Sequence, residues 1–532
     1  MNSKTIENIN KNFGKAPKRT YSSEELEKIS FYAKNELPKN KVIDDITWND
    51  LDMNGVYKLI NNTPSSVGDE YVYAALRTPT NNLDLLNKRS DLSDCFANNK
   101  ESVLKAFDSL SGIGKNKKNK TSVFEYISKI FELKKQNNLI HYILIILLIL
   151  SVVSLFLIPG VSILLLLAMI FINVISYYKI KAKIDIYFNC FKYTVVLLKC
   201  AKKLLKSNIS FLSEYNEKIE DILKSLKGVT RGSFLVASSN VNISAADVLM
   251  DYVRMLFHVD LIKFNSAQKC ISENTDKIKD LYNTIGEIEL ILAISSFRSS
   301  LSSYCKANFA RKSCKINFKN IYHPLIENPV KNSLENEEKM LLLTGSNASG
   351  KSTFLRTVAI NAILAQTVYT CSADEFNMPF SHVFSSMALS DNLSNNESYY
   401  IVEIKSIKRI LDALSRNLNV ICFVDEVLRG TNTIERIAAS SKILKYMNKD
   451  NCICFAATHD IELTQILSGV YDNYHFEEEV TEGDVKFNYN LKKGPATSRN
   501  AIKLLEVMGY ENSIVKEAEE LAKQFEECGR WS

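Results

Sequence analysis

The stretch LLLTGSNASGKSTFLRTVAINAILAQ, Leu341–Gln366, decides how this chain is read. Together with Met340, its first residues make a short apolar run, the pattern of a buried strand. A turn rich in Gly and Ser follows, and then a long helix-forming segment. Gly345 to Ser352 fits G-x-x-x-x-G-K-[ST]. Glycines let the backbone turn tightly and point its N–H groups at phosphate. Lys351 is expected to reach the β- and γ-phosphates, and the Ser352 hydroxyl to ligand Mg²⁺. A helix beginning near Lys351 adds its positive end. The expected ATP contacts are therefore Gly345, Ser346, Asn347, Ala348, Ser349, Gly350, Lys351, Ser352 and Thr353.

Such a loop needs a carboxylate at the end of a neighbouring strand. NVICFVDEVLRGTNT supplies it: Val420–Val424 reads as a buried strand, and Asp425 and Glu426 follow. Asp425 is the expected second Mg²⁺ ligand. Glu426 is the expected general base that polarises the attacking water. A solvated surface pair fits poorly after five apolar residues. A third apolar strand, CICFAATHD, ends at Thr458-His459. A histidine there can sense the γ-phosphate or orient the water. Lys351, Glu426 and His459 are thus the expected catalytic residues.

Outward from these motifs, the 532 residues are 46% hydrophobic and 24% charged, which excludes a disordered chain and implies several cores. Scarce Gly (17) and Pro (9) point to much helix. The net charge of +6 allows an acidic partner without requiring one. Eleven cysteines without a recurring C-x-x-C argue for reduced thiols rather than zinc. The first twenty residues lack the apolar core of a signal peptide.

Leu139–Tyr178 is nearly unbroken apolar sequence, divided by Pro159-Gly160. Two helices, Leu139–Ile158 and Val161–Ile180, each have the roughly 20 residues a membrane span needs. Lysines 134 and 135 precede the tract and lysines 179, 181 and 183 follow it, which places both flanks in the cytoplasm. A buried hairpin in a soluble protein is the plainer alternative. His141, Ser151 and Ser154 read as interface positions.

The three nucleotide motifs, in this order, resemble the ATPase domain of the MutS family of DNA mismatch-repair proteins. TGSNASGKSTFLR is similar to that family's phosphate loop, VDEVLRGTNT to its second motif, and FAATHDIELT to its Ala-Thr-His segment. SSMALSDNLSNNESYYIVEIKSIKRIL resembles its signature loop. There Ser398 matches the serine that reaches a partner subunit's γ-phosphate, and Glu403 opens the next helix. IYHPLIENPVKN resembles the family's His-Pro strand, which implies Pro329 and Val330 near adenine. Tyr489 falls where the family stacks a His on adenine. Residues 47–92 resemble the start of its helical core, and 184–310 match its lever loosely; the likeness spans about two-thirds of the chain.

The departures are specific. The mismatch-reading domain and its Phe-x-Glu wedge have no counterpart, nor does the DNA-clamping insertion, and the apolar pair is an addition. Ser346 and Ser349 stand where Pro and Gly are usual. Glu435-Arg436 replace a common Asp-Gly, so contacts across a dimer are expected to differ.

The implied fold is an α/β P-loop ATPase domain of MutS/ABC-like type plus an all-α core and lever carrying a two-helix transmembrane hairpin. The expected divisions are a polar tail at 1–45, helical core 46–138, hairpin 139–180, lever 181–315, ATPase domain 316–510 and C-terminal helix 511–532. The resemblance implies Mg-dependent ATP hydrolysis in a homodimer, lever motion and DNA binding in a mismatch-repair-related role at the cell membrane. The alternative is a membrane-anchored ATP-driven switch or ABC-type ATPase acting on protein or membrane partners. A transporter ATPase predicts a Leu-Ser-Gly-Gly-Gln-like signature, and NLSNNESYY is not that.

Overall fold

The structure is a computed structural model of the 532-residue chain. It describes all residues except 1–2, 39–41, 116–121, 133–136, 231–244, 310–314, 336–339, 347–348, 388–398, 430, 482–483, 497–501, 503–504, 506–507 and 529–532. The chain divides into two units. One comprises residues 1–37, 61–74 and 91–296; the other comprises 38–60, 75–90 and 297–532.

The first unit holds helices and no strand among its described residues. Residues 1–45 were expected as a polar tail; within that segment lie helices Ser3–Asn12 and Ser23–Glu36. The signal is local. Ser22 and Glu25 form a reciprocal capping box that satisfies free N–H groups of the first turn. Ile29, Tyr32 and Ala33 then lie buried on one stripe. Tyr32 donates through its hydroxyl to Asn283 Oδ1 at 2.7 Å, and Gly14 N–H donates to Ser296 Oγ at 3.0 Å.

The apolar tract forms helices Leu139–Leu157 and Pro159–Lys206. Ile158, at φ −142° and ψ 80°, makes the break, and Pro159 occupies the first turn, where a missing N–H costs nothing. Ser162 Oγ donates to Ser154 O at 2.8 Å, tying the two together beside buried Leu148 and Ser151. Outward apolar side chains are left uncovered, Phe156 at 86% exposure. Both helices are long and apolar enough to cross a membrane, by length and composition. The second was expected to end at Ile180, but it runs on to Lys206. No Gly or Pro falls between Val161 and Lys206, and lysine is a good helix former, so nothing stops it.

The second unit is α/β. Its strands are β1 Asn308–Phe309, β2 Asn317–Ile321, β3 Asn332–Leu334, β4 Met340–Thr344, β5 Glu375–Met378 and β6 His382–Ser386; then β7 Val420–Asp425, β8 Cys452–Ala457, β9 Tyr471–His475, β10 Glu478–Thr481, β11 Asp484–Phe487 and β12 Lys492–Lys493. The main sheet runs β12-β9-β4-β8-β7-β6, parallel except for β12. A smaller sheet runs β1-β5-β2-β3, and β10 pairs with β11. Strands β4, β7 and β8 are buried at every position, as expected of a parallel sheet covered on both faces.

Register aligns their ends. Leu343 and Asp425 both pair with Ala457, so the loops after β4, β7 and β8 leave one edge together. That carboxyl edge is where open α/β sheets bind ligands.

The expected boundaries at 45/46 and 315/316 do not match this unit, which starts at Phe297 and takes in 38–60 and 75–90. Helix Asp45–Asp50 is fastened to the sheet. The Asp50 carboxylate accepts from Ser385 Oγ at 2.7 Å and Met387 N at 3.0 Å, and its carbonyl accepts from Arg356 Nε at 2.9 Å. At the other end of the chain, helix Asn512–Cys528 occupies the segment expected to be helical.

Candidate nucleotide site

The loop after β4 makes two conformational demands. Gly345 has φ +140° and Gly350 φ +108°, both in the region that favours glycine. A Cβ on Gly345 would lie 2.8 Å from the carbonyl oxygen of Phe476, and one on Gly350 would lie 3.0 Å from Tyr489 Cδ1. Helix Lys351–Thr367 starts immediately after, so Lys351 sits at its N-terminal end. The Lys351 ammonium folds over the loop and donates to the carbonyls of Gly345 and Ser346, both at 2.8 Å.

Opposite stands the end of β7. Ser352 Oγ donates to Asp425 Oδ2 at 2.5 Å. Two hard oxygens at this spacing, one an anion, suit a divalent cation that takes its remaining ligands from phosphate and water. No group of three or more His, Cys, Asp or Glu side chains placed to hold a metal ion gathers among the described residues.

Glu426 adopts φ +60° and aims its carboxylate back across the site. Oε1 meets His459 Nε2 at 2.7 Å, and Oε2 meets Arg429 Nε at 2.5 Å. Burial pushes this carboxyl up, but the His459 hydrogen bond and the charges of Arg429, His459 and Lys351 outweigh it and hold it below the usual range. Glu426 N–H donates to Ala457 O and Thr458 N–H to Leu343 O, each at 2.9 Å, which locks the three loops to one another.

These residues border one cavity of about 720 Å³, lined by Ser346, Ser349, Gly350 to Thr353, Asp425, Glu426 and His459. Pro329, Val330 and Tyr489 line the same cavity, the last two partly exposed. Tyr489 sits at φ +54°, clamped by Asn332: Nδ2 donates to Tyr489 O at 3.1 Å, and Oδ1 accepts from Leu491 N at 2.7 Å. His323 also borders it. Burial first, then the Arg356 charge, push this imidazole down to about 4, so it is neutral at physiological pH.

Of the residues expected from sequence, Asn347, Ala348 and Ser398 lie outside the described residues. The others are brought to this cavity or its loop. The supporting contacts of three residues escaped the sequence reading. Asn332 is one. Arg436 is the second: it grips Asp460 with Nε at 3.0 Å and Nη2 at 2.6 Å, next to His459, a contact within the chain. Its position in the second motif was the available signal. Glu403 is the third: its Oε1 accepts the Arg429 N–H at 3.2 Å.

The MutS domain V family matches residues 341–526. "DNA mismatch repair protein MutS" of Natronomonas pharaonis is 28% identical over 274 residues, 49% of this chain and 31% of that protein. The protein of that name in a strain of Thermus thermophilus is 31% identical over 204 residues, 37% and 25% of the two chains. "DNA mismatch repair protein MutS 2" of Haloarcula marismortui is 33% identical over 187 residues, 34% and 19%. The chain therefore spans about a third or less of these relatives' length, and the matches cover less of it than the two-thirds expected from motifs. The buried β4–β7–β8 edge and the family match coincide on one segment, and through that segment this chain is similar to proteins of the MutS family.

Proposed function

We propose that the chain is a Mg-dependent ATPase of MutS type that works as a homodimer, is tethered to the membrane by residues 139–180 with both flanks cytoplasmic, and acts on DNA. The observation that carries the reading is the single cavity bordered by the loop after β4, Asp425, Glu426 and His459. The N–H groups of the Gly345–Ser352 loop and the end of helix Lys351–Thr367 hold the triphosphate. Lys351 leaves the carbonyls of Gly345 and Ser346 for phosphate oxygens. Mg²⁺ held by Ser352 and Asp425 supplies charge neutralisation on the phosphates. Glu426 takes the proton of the attacking water, and His459 steadies Glu426 and faces the γ-phosphate. Val330 and Tyr489 flank the adenine; a tyrosine ring can stack on it. Ser398 of a second chain completes the site. The membrane tether rests on the uncovered apolar side chains of the two helices 139–157 and 159–206.

The test is the ATPase rate of the full chain in nanodiscs with duplex, mismatched, branched or single-stranded DNA, using Lys351→Ala as blank. Lys351-dependent turnover stimulated by one DNA form supports the reading. Turnover indifferent to every form removes DNA and leaves a switch acting on protein or membrane.

A further inference from the structure

The turn after β7 is held in a costly conformation. Glu426 at φ +60° and Leu428 at φ +63° are both non-glycine residues in the left-handed region. Each such residue costs on the order of 1–2 kcal/mol unless its surroundings enforce it. Three contacts enforce it. Glu426 N–H is tied to Ala457 O at 2.9 Å. Val427 O accepts from the buried Ser440 Oγ at 3.0 Å. Glu403 Oε1 accepts from Arg429 N–H at 3.2 Å.

Glu403 differs from the other two in where it comes from. It is buried, at 5% exposure, and does not border the nucleotide cavity. It stands in the second turn of helix Tyr399–Ser415, whose first residue directly follows Ser398. Ala457 and Ser440, by contrast, belong to the sheet and to helix Thr433–Tyr446. A carboxylate accepting a backbone N–H fixes the peptide plane of a turn much as a cap fixes a helix end. Burial raises this carboxyl, the N–H and the charge of Arg429 oppose that, and the nearby Glu426 charge raises it further. A less costly residue would serve for packing alone, since a buried carboxylate is expensive without partners.

We propose that Glu403 is a positioning residue for Glu426: by gripping the N–H group of Arg429 it holds the turn that aims the general base, and it passes movement of helix Tyr399–Ser415 into that turn. The inference rests on the ATPase reading above. Displacing the start of that helix would release the Arg429 N–H from the carboxylate and let the left-handed residues relax, carrying Glu426 off its line. Nucleotide binding, which uses other elements, would remain.

The experiment is steady-state ATPase kinetics of the full chain in detergent, with equilibrium binding of a fluorescent ATP analogue, for wild type, Glu403→Ala, Glu403→Gln and Glu403→Asp. Glu403→Ala is expected to lose about 10- to 100-fold in kcat, the scale of a misplaced catalytic group, with KM and analogue affinity within about twofold. Glu403→Gln keeps an acceptor oxygen at the same reach and is expected to restore most of that loss. Glu403→Asp keeps the charge one methylene short, is expected to behave like alanine, and carries the test if the alanine variant does not fold. A kcat for Glu403→Ala or Glu403→Asp close to wild type overturns the inference, as does a glutamine variant no better than alanine, or equal losses of affinity and kcat. A wild type without Lys351-dependent turnover overturns the ATPase reading itself, and this inference with it.

Discussion

Glu426→Gln is the perturbation whose consequences the geometry specifies most closely. The carboxylate serves two partners at once, His459 Nε2 at 2.7 Å and Arg429 Nε at 2.5 Å. Glutamine keeps one acceptor oxygen and replaces the other with an N–H donor, so one partner is left facing a donor. The proton acceptor for water is lost as well. General-base removal is worth about 10²- to 10⁴-fold, or about 2.7–5.4 kcal/mol of transition-state stabilisation. The phosphate loop is untouched, so ATP affinity should stay within about threefold, and kcat should fall without a matching rise in KM. The assay is single-turnover hydrolysis beside equilibrium binding, with sedimentation to detect accumulation of an ATP-bound dimer. His459→Ala added to Glu426→Gln should cost little more, because the two act as one unit. Because its partners hold Glu426 below the usual carboxylate range, wild-type kcat should show no acid limb above the ordinary value of 4.5. Turnover of Glu426→Gln within about fivefold of wild type, or an acid limb near neutrality, would refute the assignment of the base.

Four other outcomes are expected. Gly345→Ala puts a Cβ 2.8 Å from the Phe476 carbonyl at φ +140°, so it should abolish detectable binding of the ATP analogue while far-ultraviolet circular dichroism stays unchanged. Arg436→Ala releases Asp460 and should lower kcat about 3- to 10-fold while the thermal midpoint moves little, since this partly exposed pair contributes about 1 kcal/mol or less to stability; calorimetry and ATPase rates together check it. In the helical unit, burial raises the carboxyls of Glu70 and Glu289 to about 7 each. The folded state therefore holds protons that the unfolded state has lost between the ordinary value of 4.5 and about 7, and stability should fall as pH rises through that window, by on the order of a few kcal/mol. Denaturant midpoints of the full chain that rise over that window would contradict it. Finally, Gly160→Cys should react with a membrane-impermeant thiol reagent added outside intact cells, and Lys183→Cys only after permeabilisation; the reverse labelling would invert the proposed orientation.

What sequence made legible was whatever rested on short-range pattern. The phosphate loop could be read because its glycines, Lys351 and Ser352 are contiguous. Asp425 could be read because a fully buried strand leads straight into it. Tyr489 lies far along the chain from Gly350 and reached the same cavity only through the family likeness. What stayed hidden was long-range or conformational. Arg436 and Asp460 are 24 residues apart, so the departure at Arg436 did not reveal its partner. Glu403 looked like the opening of a helix because nothing in its neighbours reveals a strained turn whose Arg429 N–H lies 26 residues onward. The N-terminal segment is polar on average, so its composition masked a buried stripe of three residues whose capping box was in plain sight. The recruitment of 38–60 into the sheet-bearing unit depends on the carboxylate and the carbonyl of Asp50, which no periodicity encodes.

The helix Pro159–Lys206 carries a mechanical consequence. Forty-eight residues at about 1.5 Å each make a rod of about 72 Å. The apolar part, Gly160–Asp185, takes up a little over half, about 39 Å, and the rest, Ile186–Lys206, carries buried Phe191, Leu197, Leu198 and Leu204. Sharp bends in helices arise at proline, glycine or inserted groups, and this rod has neither residue after its first turn. The apolar and the packed segments are therefore a single stiff spar without an elbow. If a bilayer surrounds the first segment, a thinner or thicker one must tilt the whole spar, and the packed half will feel that tilt as directly as the rudder feels the tiller.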